Sequence, residues 1–403
     1  MVTRPYHILV LIGIAVAACG DPGDSSVAAR SHSARDSAGV TLVALTSITD
    51  VRTCELAGGP AAVIGAGASE ENQLYRVRGA ARLSNGRLVV LNGGANEVRF
   101  YSGSGEFLES FGRSGEGPGE FQAIDHMAVL PGDTIWVADF RPLTYEVFDP
   151  SGSWVRHVRL TPPVGSSPSG AGVLDDGSAI LAQRDLRRLR DFLPGRIAVH
   201  QYSPTGELVD TVGVYETAGV GETTNPRRSI APWFASWTFV SAVGERLIIA
   251  DSRRSEVVLR ALPTLAPSMI IRWNAGDRTP TPAIMREARQ FVRDQYRTDE
   301  NSSTAEMYLD DRRPVEDPYP AYARAQLGRD GGVWIERYDP VSNDGTGVWV
   351  GLDTEGLPHC ELELPQDAFV WEFGDGYALI GRRGDLGVER VELYRWDPPG
   401  DVP

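Results

Sequence analysis

From about residue 60 onward, apolar and polar positions alternate in short runs punctuated by Gly, Asp, Asn and Pro, the period of half-buried strands rather than helices. Residues 65–105 overlay residues 112–152 at a constant offset of 47, without a gap. Gly65 falls on Gly112, Leu74 on Phe121, Leu83 on Leu130, Asn92 on Asp139, Tyr101 on Phe148 and Gly105 on Gly152. Each unit reads as an apolar strand, a Gly or Asp turn, a β-rich strand such as residues 134–139, a second turn, a strand such as residues 145–149, and a final strand after Pro-Ser-Gly. Short strands repeated at this period predict four-stranded antiparallel sheets around an axis.

The turn glycine recurs as Gly105, Gly152, Gly206, Gly356 and Gly400, with a degenerate unit around residues 246–251, which makes six units. The chain ends where the sixth unit needs its fourth strand, and residues 62–64 are a strand with no unit of their own. The sequence therefore predicts an all-β, six-bladed β-propeller over residues 40–403, closed by pairing of N- and C-terminal strands, which leaves no open sheet edge. Two insertions break the period. Residues 185–195, with Arg184, Arg187, Arg188 and Arg190 in and beside them, lengthen the third unit. Residues 274–318 carry a predicted helix, with Thr281 as N-cap, Pro282 at its first position, and Ile284, Ala288 and Phe291 on one face.

The N-terminus changes the picture of where this ring works. Arg4, the apolar run 7–16 and the small residues Val16, Ala17 and Ala18 read as an export signal, too short to span a bilayer. With Cys19 behind them they resemble the lipobox of bacterial lipoproteins. That resemblance implies cleavage before Cys19 and its lipidation, so the membrane is reached through the anchor only; an ordinary signal peptide with an incidental Cys19 is the alternative. Residues 19–39 hold little to bury and read as a flexible tether, placing the body in the periplasm or at the outer membrane. Cys54 and Cys360 are the remaining cysteines. In an oxidising compartment they form either a disulfide or two buried thiols.

The formal net charge of −15 repels nucleic acid phosphates. The chain has no Lys, which excludes a Gly-Lys-Ser/Thr phosphate loop and Schiff-base chemistry.

Residues 111–121, 129–139 and 145–152 together resemble the NHL-repeat family of β-propellers, above all six-bladed propeller lipoproteins of bacteria. The likeness is strong over residues 65–213, weaker in the fourth unit, and returns at 330–335 and 384–391. It implies the fold and leaves the activity open, since the family includes ligand-binding modules, interaction platforms and a few lyases.

Metal-dependent lyases on this fold gather histidines around the axis. Here only His126 falls on an inner strand; His157 and His359 fall on outer strands and His200 on a third strand. The Gly-rich run 112–119 reads as a blade crossing. Asn92, Asp139 and Asp251 recur after the second strand, as turn-capping residues do. By register, Arg78, Asp125, His126, Asp139, Arg141, Trp237 and Arg324 are the candidate residues around the channel, and Arg with aromatic groups there suit a small anionic or sugar-like ligand. The leading expectation is an envelope-anchored binding or protein-interaction module without a required cofactor and with its protein partner unidentified. The alternatives are a lyase or hydrolase with a divalent metal in the channel, and a structural subunit of an envelope complex.

Overall fold

The computed structural model describes residues 32–49, 51–65, 67, 69–161, 169–185, 191–223, 228–296, 302–341, 346–384 and 387–396. The expected signal peptide, Cys19, most of the tether, Arg187, Arg188, Arg190 and Gly400 lie outside these residues. Blade 1 consists of strands Val77–Arg82, Leu88–Asn92, Glu97–Tyr101 and Phe107–Phe111. Blade 2 repeats it at the expected offset: Ile124–Leu130, Thr134–Asp139, Thr144–Phe148 and Trp154–Arg159. Blade 3 is Ser169–Val173, Ala179–Arg184, Gly195–Tyr202 and Leu208–Thr217; blade 4 is Thr238–Val243, Arg246–Asp251, Glu256–Ala261 and Ala266–Trp273. Blade 5 is Arg324–Leu327, Val333–Glu336, Thr346–Leu352 and Pro358–Pro365. Blade 6 takes Phe369–Gly374, Tyr377–Arg383 and Glu389–Arg395 from the C-terminus and Ala62–Ile64 from the N-terminus, with Val391 opposite Ile64. The fold is the six-bladed propeller expected, closed by both ends of the chain.

Burial explains why the second strands are apolar at nearly every position while the fourth strands are not. A second strand is covered by neighbouring blades on both faces, and all five residues of Leu88–Asn92 are buried. The outermost strand Trp154–Arg159 buries only Val158. The apolar clusters lie between consecutive blades, so the core is a ring of seams. Phe100, Phe121 and Phe148 fill the seam of blades 1 and 2, and Trp334 stacks on Phe373, ring centroids 4.2 Å apart, between blades 5 and 6. The recurring turn glycine has two causes. Gly206 sits at φ +91°, and an added Cβ would lie 2.0 Å from the Arg159 carbonyl oxygen on the preceding blade; Gly152, at φ +80°, meets the Phe111 ring in the same way.

The N-terminal segment does more than close the ring. Val40–Leu45 pairs in parallel with the outer strand of blade 4, Thr41 opposite Met269. The chain then crosses blade 5, where the Cys54 N–H donates to the Glu361 carbonyl, before reaching blade 6. Cys54 and Cys360 are joined in a disulfide with their Cα atoms 5.6 Å apart, which pins this belt to the outer strand of blade 5. The expectation of an unstructured tether through residue 39 is corrected. His32–Ser37 is a strand that turns at Ala38 and Gly39 and pairs with Val40–Leu45, although every side chain in it is exposed. Composition measures what a segment can bury, and this strand is held by backbone hydrogen bonds instead.

In a four-stranded meander the turns after the first and third strands lie at one end of the ring. The turns after the second strand and the blade-to-blade connections lie at the other. Both insertions therefore emerge at this second end. The long one contains α1, Pro282–Gln295, and α2, Ser302–Leu309. Thr281 caps α1 by accepting from the Ile284 N–H, as expected. Its buried residues are Ala288 and Val292, which pack with Trp233 and Phe234 from the connection between blades 3 and 4. The expectation that Phe291 shares the packed face is corrected: its ring is 43% exposed, because the docking surface meets α1 one position further along the helix.

Candidate functional site

The six inner strands enclose an axial cavity of about 400 Å³. Most of its wall is small or apolar, including Gly79, Ala128, Gly170, Ala171 and Ala325. Polar groups gather towards its two ends. Where the inner strands begin stand Arg78, His126 and Arg324; where they finish stand Arg329 and Glu372.

At the first end, a register shift at the start of the inner strand of blade 2 places Asp125 and His126 side by side. His126 lies against Gly170 of blade 3, where an added Cβ would come within 2.6 Å of the ring. Its Nε2 is buried without a hydrogen-bond partner among the described residues, and burial pushes the imidazole down to about 4, so it is neutral at physiological pH. Burial raises the Asp125 carboxyl and the Arg78 charge on blade 1 opposes that shift. Arg324 is ion-paired. Its Nε donates to Glu336 Oε2 at 2.5 Å, Nη2 to Oε1 at 3.1 Å, and Nη1 to the Ala368 carbonyl at 3.1 Å, which ties blade 5 to blade 6.

Glu372 closes the other end. It accepts from the Arg82 N–H at 2.9 Å and the Tyr377 hydroxyl at 2.7 Å, with Arg329 Nη1 at 3.5 Å. Burial raises its carboxyl against the opposing Arg329 charge and these hydrogen bonds. Sequence register had not singled out Glu372 or Arg329. The available signal was a lone acid within the apolar inner strand Phe369–Gly374.

A second cavity, about 370 Å³, opens at the insertion-bearing end. Trp237, Phe234, Tyr322, Tyr338 and Arg313 line it, drawn from the connection between blades 3 and 4, the long insertion and blade 5. The Arg313 guanidinium stands 4.1 Å from the centroid of Trp233. It donates to the carbonyls of Ala231 at 2.8 Å, Tyr308 at 3.2 Å and Pro232 at 3.3 Å. Burial lowers it to about 10, still protonated at neutral pH. Arg184 lies over Trp237, 4.8 Å from the ring centroid.

The structure thus divides the seven candidates. Arg78, His126 and Arg324 line the channel, and Asp125 stands beside Arg78 at the start of an inner strand. Three placements correct the expectation from register. Asp139 does not line the channel: it accepts from the N–H groups of Gln122 at 2.5 Å, Ala123 at 3.0 Å and Arg141 at 3.2 Å, holding the incoming connection. Arg141 is exposed on that turn and is likewise outside the lining. Trp237 belongs to the second cavity. Register gives the depth of a residue along its strand, but not where a connection leads. The glycine-rich crossing is closed on itself, since Glu120 accepts from the Gly117 N–H at 2.9 Å and from Arg113 Nε at 2.7 Å. No group of three His, Cys, Asp or Glu side chains is placed to hold a metal ion among the described residues.

No family model matches the chain, and no curated protein matches it. Solved structures do. A presumed exported protein from Bacteroides fragilis is 13% identical with a TM-score of 0.50, over 88% of this chain and 99% of that one. A member of the DUF4221 family from Bacteroides vulgatus is 11% identical with a TM-score of 0.47, over 86% of this chain and 99% of that one. A streptogramin B lyase is 13% identical with a TM-score of 0.36, over 80% of this chain and 83% of that one. At such identities the likeness to the Bacteroides fragilis protein carries the propeller fold and nothing about a ligand or a reaction.

Proposed function

We propose that the protein is an exported binding module, anchored to the cell envelope through lipidated Cys19, that presents the insertion-bearing end of an NHL-like ring to a ligand or partner. One observation carries this reading: the long insertion, which the ring does not need for closure, meets the connection between blades 3 and 4 at one end of the ring and walls a pocket with it there. The signal-like N-terminus and the Val-Ala-Ala-Cys stretch support export and anchoring.

A catalytic channel has one observation in its favour, the Nε2 of His126, buried with no hydrogen-bond partner among the described residues. An imidazole held at about 4 is nevertheless a weak base at neutral pH, far from the range in which general-base catalysis is efficient. A stoichiometric, chelator-removable divalent metal, measured by elemental mass spectrometry on untagged protein, would revive that reading.

The test is a photo-crosslinking phenylalanine analogue placed in living cells at Phe291 on the insertion, and at Leu108 on the outer edge of blade 1 as control. Both positions are exposed. Specific adducts at position 291 and none at 108 are expected. Adducts at 108 alone, or at neither position, would overturn the assignment of the binding end.

A further inference from the structure

The cavity at the insertion-bearing end combines three features that the ring does not require. Its wall is aromatic, with Trp237, Phe234, Tyr322 and Tyr338 around about 370 Å³, near the lower end of the size range of small-molecule pockets. Its cation is built in. Arg313 is held by three carbonyl oxygens from two segments, and carbonyls orient a guanidinium without neutralising it. Its charge is uncompensated, in a protein of net charge −15. Neither Arg313 nor Arg184, over Trp237, is ion-paired with a carboxylate among the described residues, whereas Arg253, Arg312 and Arg324 pair with Asp251, Asp310 and Glu336. The acid that bears on the wall is Glu316, whose charge is felt by Tyr338; it accepts from the Ser236 N–H and also acts on Arg253. The Tyr338 hydroxyl has no hydrogen-bond partner among the described residues.

We infer that this pocket binds a small carboxylate bearing a flat ring face, with the ring against Trp237 and Tyr338 and the carboxylate on the Arg313 guanidinium. The proposal rests on the reading of the insertion-bearing end as the binding end, and names its ligand class. The guanidinium has five N–H donors, of which the three carbonyls take three, so two remain for a carboxylate. A flat face is stacked by Trp and Tyr whether it belongs to an aromatic ring or to the apolar side of a sugar. Aromatic acids and acidic sugars share this chemistry, and the experiment separates them.

Isothermal titration of the full chain with sodium 4-hydroxybenzoate and sodium galacturonate, beside their neutral counterparts 4-hydroxybenzyl alcohol and galactose, tests the inference. One acid is expected to bind at least about tenfold tighter than its neutral counterpart, the scale of one charge-assisted pair. The acid that binds identifies the ring. Arg313→Met is expected to weaken it by about tenfold or more. Because Arg313 also joins the insertion to the neighbouring connection, Arg184→Met and Tyr338→Phe serve as variants that leave those carbonyl contacts intact, and each is expected to weaken binding by a smaller factor. Absence of binding by both acids would overturn the inference. Equal binding of acid and neutral probe, insensitive to all three substitutions, would also overturn it, yet would leave the binding end intact if Phe291 still forms its cross-links.

Discussion

Blades 1 and 2 and the stretch from blade 3 to blade 5 are built from the same four-stranded unit, yet they use their residues differently. In blades 1 and 2 the polar residues that end the second strands are consumed by the fold. Asn92 receives the Tyr75 N–H and Asp139 receives three backbone N–H groups. From blade 3 to blade 5 the chain spends two insertions on one end of the ring, and there Arg184 and Arg313, lying over Trp237 and Trp233, have no carboxylate partner among the described residues. The outer edge of blades 4 to 6 is also strapped by the N-terminal belt, which blades 1 and 2 lack. A residue spent on holding a turn is not free to hold a ligand, so the binding chemistry is to be sought where the chain exceeds what the ring needs.

The largest effect is expected at the regular seam. Phe121 is fully buried among Phe100, Phe148 and Ile135, and Phe121→Ala should cost about 3–5 kcal/mol. Chemical denaturation should show the loss across the whole ring, since the seam belongs to its continuous core. Loss confined to blades 1 and 2 in hydrogen exchange would show instead that blades unfold singly.

The belt gives the next test. Replacing Cys54 and Cys360 by Ala removes a cross-link between residues 306 apart in sequence, and should cost about 2–5 kcal/mol in denaturant unfolding. An unchanged midpoint would mean that the parallel pairing on blade 4 and the strand in blade 6 suffice to hold the belt.

His126 tests how dry the channel is. Its native pKa of about 4 lies below the 6.5 of an exposed imidazole. Between these values the unfolded chain takes up a proton that the native state refuses, so stability falls as pH drops from about 6.5 towards 4. The fall should reach about 2 kcal/mol between pH 7 and pH 4.5, and His126→Gln should remove it when urea unfolding at these two pH values is compared. An equal fall in both proteins would show that the channel admits the protonated imidazole.

The smallest effect separates the insertion from the ring. Thr281→Ala deletes the cap of α1 and should cost about 1 kcal/mol locally. Amides of Pro282–Gln295 should then exchange faster, while those of Leu88–Asn92 keep their rate. Acceleration in both would mean that the insertion and the ring fold as one unit.

How much was legible follows from what the repeat records. The blade boundaries, the pairing of the two termini and the N-cap at Thr281 could be read directly, because each has a local signature in period, turn residue or capping residue. The second helix, the strand His32–Ser37 and the belt could not. They depend on backbone pairing or on an apolar surface supplied by a distant segment, as Trp233 and Phe234 supply it to α1. Within the candidate site, Arg78, His126 and Arg324 were legible as channel residues because inner strands can be counted off by register. Asp139 holds its turn, as its recurrence with Asn92 and Asp251 implied, rather than the channel, and Trp237 was misplaced, since its surroundings are set by a connection that leaves the register. Arg313 lies in a run of mixed charge, Asp310-Asp311-Arg312-Arg313, and such a run reads as solvated surface.

The six four-stranded units and their closure by both ends can be read from the amino-acid order, because strand period and turn chemistry are local properties repeated at a fixed spacing. Which arginines are ion-paired and which lie over aromatic rings is settled by the folded chain alone. That outcome depends on which loops the ring brings to the same end, and no spacing along the chain encodes it.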